Sequence, residues 1–176
     1  MKRLKTLLLG FSSFLLITSC WNNEDPLKAY QEWRKNNETY FLSYKDSTNF
    51  SKIEIREDNG GRYIYCKKIR EASDRTIVPM YTDRVRVHYK GLLMGQEIFD
   101  ATYLKDEPNE YEIESHRAFS VNGVVPGFGE ALQLMSVGDK WRIVIPMELG
   151  YGDSFQNVIP PYSTLIFEIE LLAINP

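Results

Sequence analysis

Residues 124–145 read VVPGFGEALQLMSVGDKWRIVI, and this stretch contains a helical pattern followed closely by a strand pattern. Four apolar residues follow the spacing i, i+3, i+4 and i+7: Phe128, Ala131, Leu132 and Met135. This spacing is typical of one apolar face of a helix. From Trp141 to Ile145 the alternation has period two, which is typical of a β-strand. The pattern predicts one short helix whose apolar face fills the concave face of a sheet.

Similar alternation occurs on both sides of this stretch. The further predicted strands contain Ile53–Ile55, Tyr63–Tyr65, Val85–Tyr89 and Leu165–Leu171, and Asn59-Gly60-Gly61 is a hairpin-type turn between the first two. We interpret these segments as antiparallel strands with one face in water. Strands that surround a single helix predict an α+β fold.

Composition excludes several classes of protein. The 176 residues are 43% apolar and 26% charged, which excludes a disordered chain and a polytopic membrane protein. A net charge of −3 offers no basic excess for phosphate contacts, so we expect no nucleic-acid partner. His88 and His116 are far apart and lack a carboxylate partner at metal-ligand spacing, so no metal site is expected.

The first twenty residues, MKRLKTLLLGFSSFLLITSC, have the pattern of a bacterial lipoprotein signal. Basic residues precede the apolar stretch Leu7–Ile17, which is too short to span a bilayer as a helix. Residues 17–20 resemble a lipobox, which implies removal of residues 1–19 and acylation of the Cys20 thiol. We therefore expect a membrane-anchored, extracytoplasmic lipoprotein. The alternative is an ordinary signal peptide with a coincidental cysteine.

Residues 20–60 are expected to form the acylated tether and a helical spacer. Asp25-Pro26 can start a helix, and aromatic residues spaced mostly three or four apart favour an amphipathic helix over residues 26–46, with Asn36-Asn37 as a weak break. Its simplest role is a spacer that packs on the next domain. The alternative is an aromatic face for partner proteins or for a dimer through helix 26–46. Cys66 is interpreted as an apolar strand residue and not as a nucleophile.

Several short motifs occur in a characteristic order along the second half of the chain. They are Val87-His88-Tyr89-Lys90-Gly91, Phe99-Asp100, Val124-Val125-Pro126-Gly127-Phe128, Met135-Ser136-Val137-Gly138, Tyr151-Gly152 and Ile159-Pro160-Pro161. In this order they resemble FKBP-type peptidyl-prolyl isomerases over residues 61–176, and best over residues 83–176. The resemblance implies an FKBP-like antiparallel twisted β-sheet wrapped around one short helix, here preceded by the N-terminal helix.

The resemblance also implies the residues of a proline pocket. Its lining would comprise Tyr89, Phe99, Val124, Val125, Phe128, Ile159 and Phe167. Tyr151 would donate a hydrogen bond to a substrate carbonyl, and Asp100 would act on the rotating carbonyl or orient Tyr89. On pattern alone, core packing is the better explanation of Tyr89, Val124, Val125 and Phe167. The alternative for Asp100 is the capping of a turn. Phe128 stands where the family usually has Trp, and Arg117 where many members have an aromatic residue.

The implied activity is cis–trans isomerisation of X-Pro bonds, in support of the folding of extracytoplasmic proteins. A site of this kind stabilises a twisted amide in an apolar pocket, so no cofactor and no metal is expected. The implied partners are proline-containing polypeptides and FKBP-type macrolide ligands. The alternatives are a non-catalytic chaperone that binds proline-containing segments and an assembly scaffold.

Overall fold

The computed structural model describes residues 26–55, 61–105, 107 and 115–176. It contains two α-helices, α1 (Pro26–Leu42) and α2 (Pro126–Leu132). The strands are β1 (Ser51–Glu54), β2 (Tyr63–Arg70), β3 (Arg84–Leu92), β4 (Ile98–Ala101), β5 (Arg117–Ser120), β6 (Lys140–Ile145) and β7 (Leu165–Ile174). Short 3₁₀ turns lie at Ser43–Asp46, Val121–Gly123 and Met147–Leu149. The predicted α+β fold is confirmed.

In the described part of the chain, all strand pairings are antiparallel and belong to one sheet. The strand order is β1-β2-β6-β7-β3-β4, and β5 pairs with the first half of β3. β4 pairs with the second half of β3, so both short strands share one edge. The longest pairing joins β3 to β7, with Tyr89 opposite Ile169 and Gly91 opposite Phe167. This pairing brings distant parts of the chain together at the centre of the sheet.

One face of the sheet packs against α2, as the apolar stripe of that helix predicts. The stripe residues Phe128, Ala131, Leu132 and Met135 are at most 3% exposed. They join a core with alternate residues of the strands, among them Ile64, Ile143, Leu165 and Ile169. Cys66 of β2 belongs to the same core, and burial raises the pKa of its thiol to about 12. The thiol therefore stays protonated, as expected of a residue that packs as an apolar side chain.

The opposite face of the sheet is not left in water, which differs from our interpretation of the strand patterns. Phe41 of α1 packs there with Tyr65, Val144 and Ile166, each of which lies one position out of phase with the α2 core. The ring centroids of Phe41 and Tyr65 are 5.0 Å apart. Burying one such aromatic side chain contributes about 1.5–3 kcal/mol, so the helix is held firmly on the sheet.

The predicted helix at 26–46 is confirmed as α1 followed by a 3₁₀ turn. Asn36-Asn37 does not break it. Asn37 is 1% exposed, and its side-chain oxygen accepts a hydrogen bond from the Thr164 backbone N–H at 2.8 Å. Phe41 of α1 packs on the chain's own sheet, as expected of a spacer that packs on the next domain. The dimer through helix 26–46 stays a prediction.

The expected boundary between residues 60 and 61 does not separate two packed units. β1 pairs with β2, and α1 covers the sheet to which both strands belong. The physical reason is that Ser51–Glu54 adds an edge strand to β2 and does not continue the spacer. The described residues on both sides of this boundary therefore form one packed unit.

Some sequence predictions lie outside the described residues. These are the signal peptide at 1–19, the lipidation site Cys20, and Asn59-Gly60 of the hairpin turn. Among the helices of the described ranges, none is long and apolar enough to cross a membrane.

Candidate functional site

A cavity of about 200 Å³ opens where α2 meets the sheet. It is lined by Tyr89, Phe99, Asp100, Phe119, Gly123, Val124, Val125, Phe128, Tyr151 and Phe167. Most of these side chains are aromatic or aliphatic, and the polar ones carry a hydroxyl or a carboxylate. The cavity therefore suits an apolar group that carries an amide, because a few polar atoms can orient what the apolar walls enclose.

The walls of the cavity are aromatic rings held edge to face. The Phe128 and Phe167 ring centroids are 5.0 Å apart with an interplanar angle of 89°. Phe99 meets Phe167 at 5.5 Å and 89°, and Tyr89 meets Phe119 at 5.5 Å and 67°. Such pairs contribute about 0.5–1.5 kcal/mol each beyond their buried area. The rings are therefore fixed by one another before any ligand enters.

Gly91 makes this arrangement possible at the centre of the sheet. It pairs with Phe167 on β7 and with Asp100 on β4. A Cβ atom at this position would lie 2.5 Å from the Phe99 ring and 2.9 Å from the Phe167 ring. The absence of a side chain at Gly91 therefore allows both rings to approach the backbone of β3.

The polar part of the site begins with Tyr89 and Asp100. The Tyr89 hydroxyl donates a hydrogen bond to Asp100 Oδ2. Burial raises the pKa of Tyr89, the hydrogen bond and negative charge of Asp100 raise it further, and the positive charge of Arg117 opposes the shift. The phenol is therefore neutral at physiological pH and remains a hydrogen-bond donor.

Tyr151 supplies a second hydroxyl from the loop between β6 and β7. It is 37% exposed and lines the cavity. Burial and the negative charge of Asp100 both raise the pKa of Tyr151, so this hydroxyl also keeps its proton. The next residue, Gly152, has φ +62°, a left-handed conformation that glycine adopts without strain and that turns the chain just after Tyr151.

The structure brings together all of the sequence-predicted site residues except one. Ile159 is 5% exposed and packs in the core with Tyr89, Phe128 and Phe167, but it is not among the residues that line the cavity. Val125 lies just ahead of α2, whose first residue is Pro126.

Phe119 and Gly123 also line the cavity, although neither was predicted as a lining residue from the sequence. Phe119 lies on β5 opposite Val85, and Arg117 lies opposite Val87. Since residues two apart in a strand share a face, Phe119 could have been found from Arg117, which stands where many members of the family that this chain resembles have an aromatic residue. Gly123 belongs to the 3₁₀ turn before α2 and gave no pattern of its own.

A second cavity, of about 270 Å³, lies between α1 and the sheet and is lined in part by Arg34, Glu38, Phe41, Tyr63 and Tyr162. None of the predicted site residues contacts it. We therefore assign the candidate site to the first cavity, which is lined by residues that the family resemblance implies.

The histidines require a correction, because they are not far apart in the fold. The rings of His88 and His116 are 6.5 Å apart, since β5 pairs with β3. His88 Nδ1 lies 3.3 Å from the Thr102 hydroxyl. Within the described ranges, no three His, Cys, Asp or Glu side chains are grouped so that they could hold a metal ion.

Comparisons with known proteins relate the second half of the chain to one family. A family model described as FKBP-type peptidyl-prolyl cis-trans isomerase matches residues 76–172. The FKBP-type 22 kDa peptidyl-prolyl cis-trans isomerase of Escherichia coli K12 is 51% identical over 98 residues, which are 55% of this chain and 44% of that protein. The macrophage infectivity potentiator of Trypanosoma cruzi is 40% identical over 98 residues, or 55% of this chain and 46% of that protein. The chain thus spans less than half the length of these relatives.

Two solved structures share the fold over most of the chain. The crystal structure of FkpA from Escherichia coli has a TM-score of 0.67 at 27% identity and covers 85% of this chain and 62% of its own. A peptidyl-prolyl cis-trans isomerase from Pseudomonas syringae pv. tomato has a TM-score of 0.64 at 28% identity and covers 86% of this chain and 97% of its own. With the family match over residues 76–172, these likenesses show that the chain belongs to the FKBP-type peptidyl-prolyl cis-trans isomerase family.

Proposed function

We propose that this chain catalyses the cis–trans isomerisation of X-Pro peptide bonds. The observation that carries the proposal is the cavity of about 200 Å³, whose aromatic walls meet the Asp100 and Tyr151 side chains. The cavity lies within the stretch that the family model matches. The apolar proline ring can pack against the aromatic walls, and the adjoining amide can form hydrogen bonds with the polar groups.

The reaction needs differential binding and no covalent step. Rotation about a peptide bond has a barrier of roughly 18–20 kcal/mol, because the planar amide is stabilised by resonance. The twisted amide loses that resonance and part of its charge separation. An apolar cavity therefore binds the twisted form better than the planar form, which lowers the barrier.

The polar residues have separate roles in this proposal. The Tyr151 hydroxyl donates a hydrogen bond to a substrate carbonyl. Asp100 accepts the Tyr89 hydroxyl hydrogen bond and so orients that ring, which is one of the two roles expected for it. The aromatic walls hold the proline ring while the preceding carbonyl rotates.

The proposal is tested with a protease-coupled prolyl-peptide assay on the full chain in mild detergent. We expect cis–trans exchange of a Leu-Pro peptide to accelerate in proportion to protein concentration. An FKBP-type macrolide should compete with the peptide if it occupies the same walls. A folded protein that leaves the exchange rate at the value for buffer alone would refute the activity.

A second candidate is a non-catalytic chaperone that binds proline-containing segments. Exposed apolar side chains on the loop that carries Tyr151 favour it: Phe155 is 65% exposed and Val158 is 58% exposed. This candidate requires binding of a proline-containing peptide without acceleration of its exchange. Fluorescence titration alongside the rate assay separates the two candidates.

We further propose that the protein is an extracytoplasmic lipoprotein anchored through Cys20, and that it assists the folding of proline-containing polypeptides in that compartment. The support is the pattern of residues 1–20, with its basic start, short apolar stretch and lipobox-like end. Acylation can anchor a protein stably when more than one chain is attached.

A further inference from the structure

Helix α1 contacts the loop that carries Tyr151. This site loop comprises residues 150–164, between the 3₁₀ turn Met147–Leu149 and β7. The Trp33 indole N–H of α1 donates a hydrogen bond to the Pro161 backbone oxygen at 3.1 Å. The Trp33 ring also packs against the main core. One residue of α1 is therefore joined both to the core and to the site loop.

Tyr162, the next residue of the site loop, is held by α1 on two sides. The Tyr30 ring meets the Tyr162 ring edge to face at 5.4 Å, and the Arg34 guanidinium lies over the Tyr162 ring at 4.6 Å. The backbone of Tyr162 has φ +60°. For a residue other than glycine this conformation costs about 1–2 kcal/mol and persists only where surrounding contacts hold it.

The contacts continue from Tyr162 to the site. The Tyr162 backbone N–H donates to the Gly152 oxygen at 2.7 Å, and Gly152 directly follows Tyr151. At the end of the site loop, the Thr164 hydroxyl donates to the Asn37 backbone oxygen at 2.9 Å. An unbroken series of contacts thus connects α1 with the residue whose hydroxyl reaches the cavity.

We propose that α1 positions the site loop for isomerisation, with Trp33 as the main positioning residue. Trp33 touches neither the cavity nor a substrate; it acts through Pro161, Tyr162 and Gly152 on the Tyr151 hydroxyl. The inference rests on the proposed function, since it concerns the rate of that reaction. It assigns a role to a helix that lies outside residues 76–172, the stretch matched by the family model.

The experiment compares W33F with Y40F in the full chain. W33F keeps an aromatic ring against the core and removes the indole N–H that donates a hydrogen bond to the Pro161 backbone oxygen. Y40F is the matched control, because Tyr40 lies on the same helix and loses hydrogen bonds to Tyr44 and Gln96, which are not in the site loop. The measurements are kcat/KM for a Leu-Pro peptide, amide hydrogen exchange at Gly152 and Tyr162, and the melting temperature.

For W33F we expect kcat/KM to fall about three- to tenfold and the exchange of the two amides to accelerate about fivefold, as loss of one hydrogen bond predicts. Y40F should lower the melting temperature similarly and change neither the rate nor the loop exchange. R34Q, an exposed change that cannot disturb the core, should lower kcat/KM by about twofold. It serves as a second test if W33F does not fold.

The two levels of the proposal fail in different ways. A wild-type protein without isomerase activity would refute the proposed function. An active wild type whose W33F and R34Q variants match Y40F in kcat/KM would overturn the positioning role alone. Faster loop exchange in W33F with an unchanged rate would also overturn it, because α1 would then hold the loop without influencing the reaction.

Discussion

The Tyr89 hydroxyl, on β3, donates a hydrogen bond to the Asp100 carboxylate, on β4. The two residues can meet because β3 and β4 are neighbours in the sheet. This contact decides between two interpretations of Asp100. A carboxylate that caps a turn would accept hydrogen bonds from backbone N–H groups. The Asp100 carboxylate instead accepts a hydrogen bond from a phenol hydroxyl at the edge of an aromatic cavity. Asp100 lines the cavity, and its charge raises the pKa of both Tyr89 and Tyr151.

The first prediction concerns these polar groups. D100A and Y151F should each lower kcat/KM by about tenfold, because each removes one hydrogen-bonding group of the site. Both side chains are exposed enough that the melting temperature should change by less than about 2 °C. Prolyl-peptide kinetics and thermal unfolding of the same samples provide the measurements.

The matched control for this prediction is D153A. Asp153 is an exposed carboxylate on the same loop as Tyr151, but it does not line the cavity. We expect it to leave kcat/KM unchanged. A large loss of stability in D100A or Y151F, with normal activity per folded molecule, would assign these residues to packing instead.

The second prediction concerns Gly91. G91A should destabilise the fold by about 1–3 kcal/mol, because the added Cβ overlaps the rings of Phe99 and Phe167. It should also reduce activity by displacing two walls of the cavity. The control is G95A in the same hairpin, where the nearest atom to an added Cβ is at 3.6 Å, an ordinary contact distance. Urea unfolding of both variants measures the difference, and equal stabilities would contradict the close packing.

The third prediction concerns the attachment of α1 to the sheet. N37A should lower the free energy of unfolding by about 1–3 kcal/mol, because the buried backbone N–H of Thr164 loses its acceptor. N36A, at the exposed neighbouring position, should be neutral or slightly stabilising, since Ala favours helix more than Asn does. A spacer that does not pack on the domain would give no difference between the two variants in chemical denaturation.

Much of the fold could be predicted from the sequence because periodicity reports which face of an element is apolar. It does not report what covers that face. Val144 and Ile166 are apolar at positions assigned to the wet side of the sheet, and this was the available signal. Only the tertiary structure shows that α1 covers them and that Asn37, taken as a weak break, is a buried attachment point.

The family resemblance predicted cavity residues that lie on regular strands, such as Tyr89 and Phe167, whereas pattern alone explained them by core packing. Two aspects were not predicted. Ile159 packs beside the cavity residues without lining the cavity, and Phe119 lines it, because the course of the loops and the pairing of β5 set the cavity's shape. The approach of His116 to His88 has the same origin, since strand register brings together residues distant in sequence.

The fourth prediction concerns the membrane anchor. C20S should abolish membrane fractionation and incorporation of labelled fatty acid, because it removes the thiol that would be acylated. The fold should be unaffected, and peptide-exchange activity in the soluble fraction should equal that of the wild type. C66S is the matched control, since Cys66 is buried in the core and should leave labelling intact. Wild-type protein found soluble and unlabelled would contradict the lipoprotein proposal.

The last prediction concerns selectivity for the residue before proline. Aromatic and aliphatic walls should favour Leu-Pro and Phe-Pro over Gly-Pro and Glu-Pro, because the preceding side chain also contacts the walls. Arg117 on β5 lies close enough to lower the pKa of Tyr89, so it adds positive charge at the edge of the site. Glu-Pro should therefore be turned over faster at low salt, where screening is weaker.

The effect of Arg117 should be modest, since an exposed ion pair contributes at most about 1 kcal/mol, or a few-fold in rate. R117A should abolish the low-salt gain for Glu-Pro and leave Leu-Pro unchanged. R84A, at an exposed position at the start of β3, is the matched control and should preserve the gain. Equal rates for all four peptides would contradict the wall contacts and favour the chaperone candidate, because a groove that only holds extended chains has no reason to prefer an apolar residue before proline.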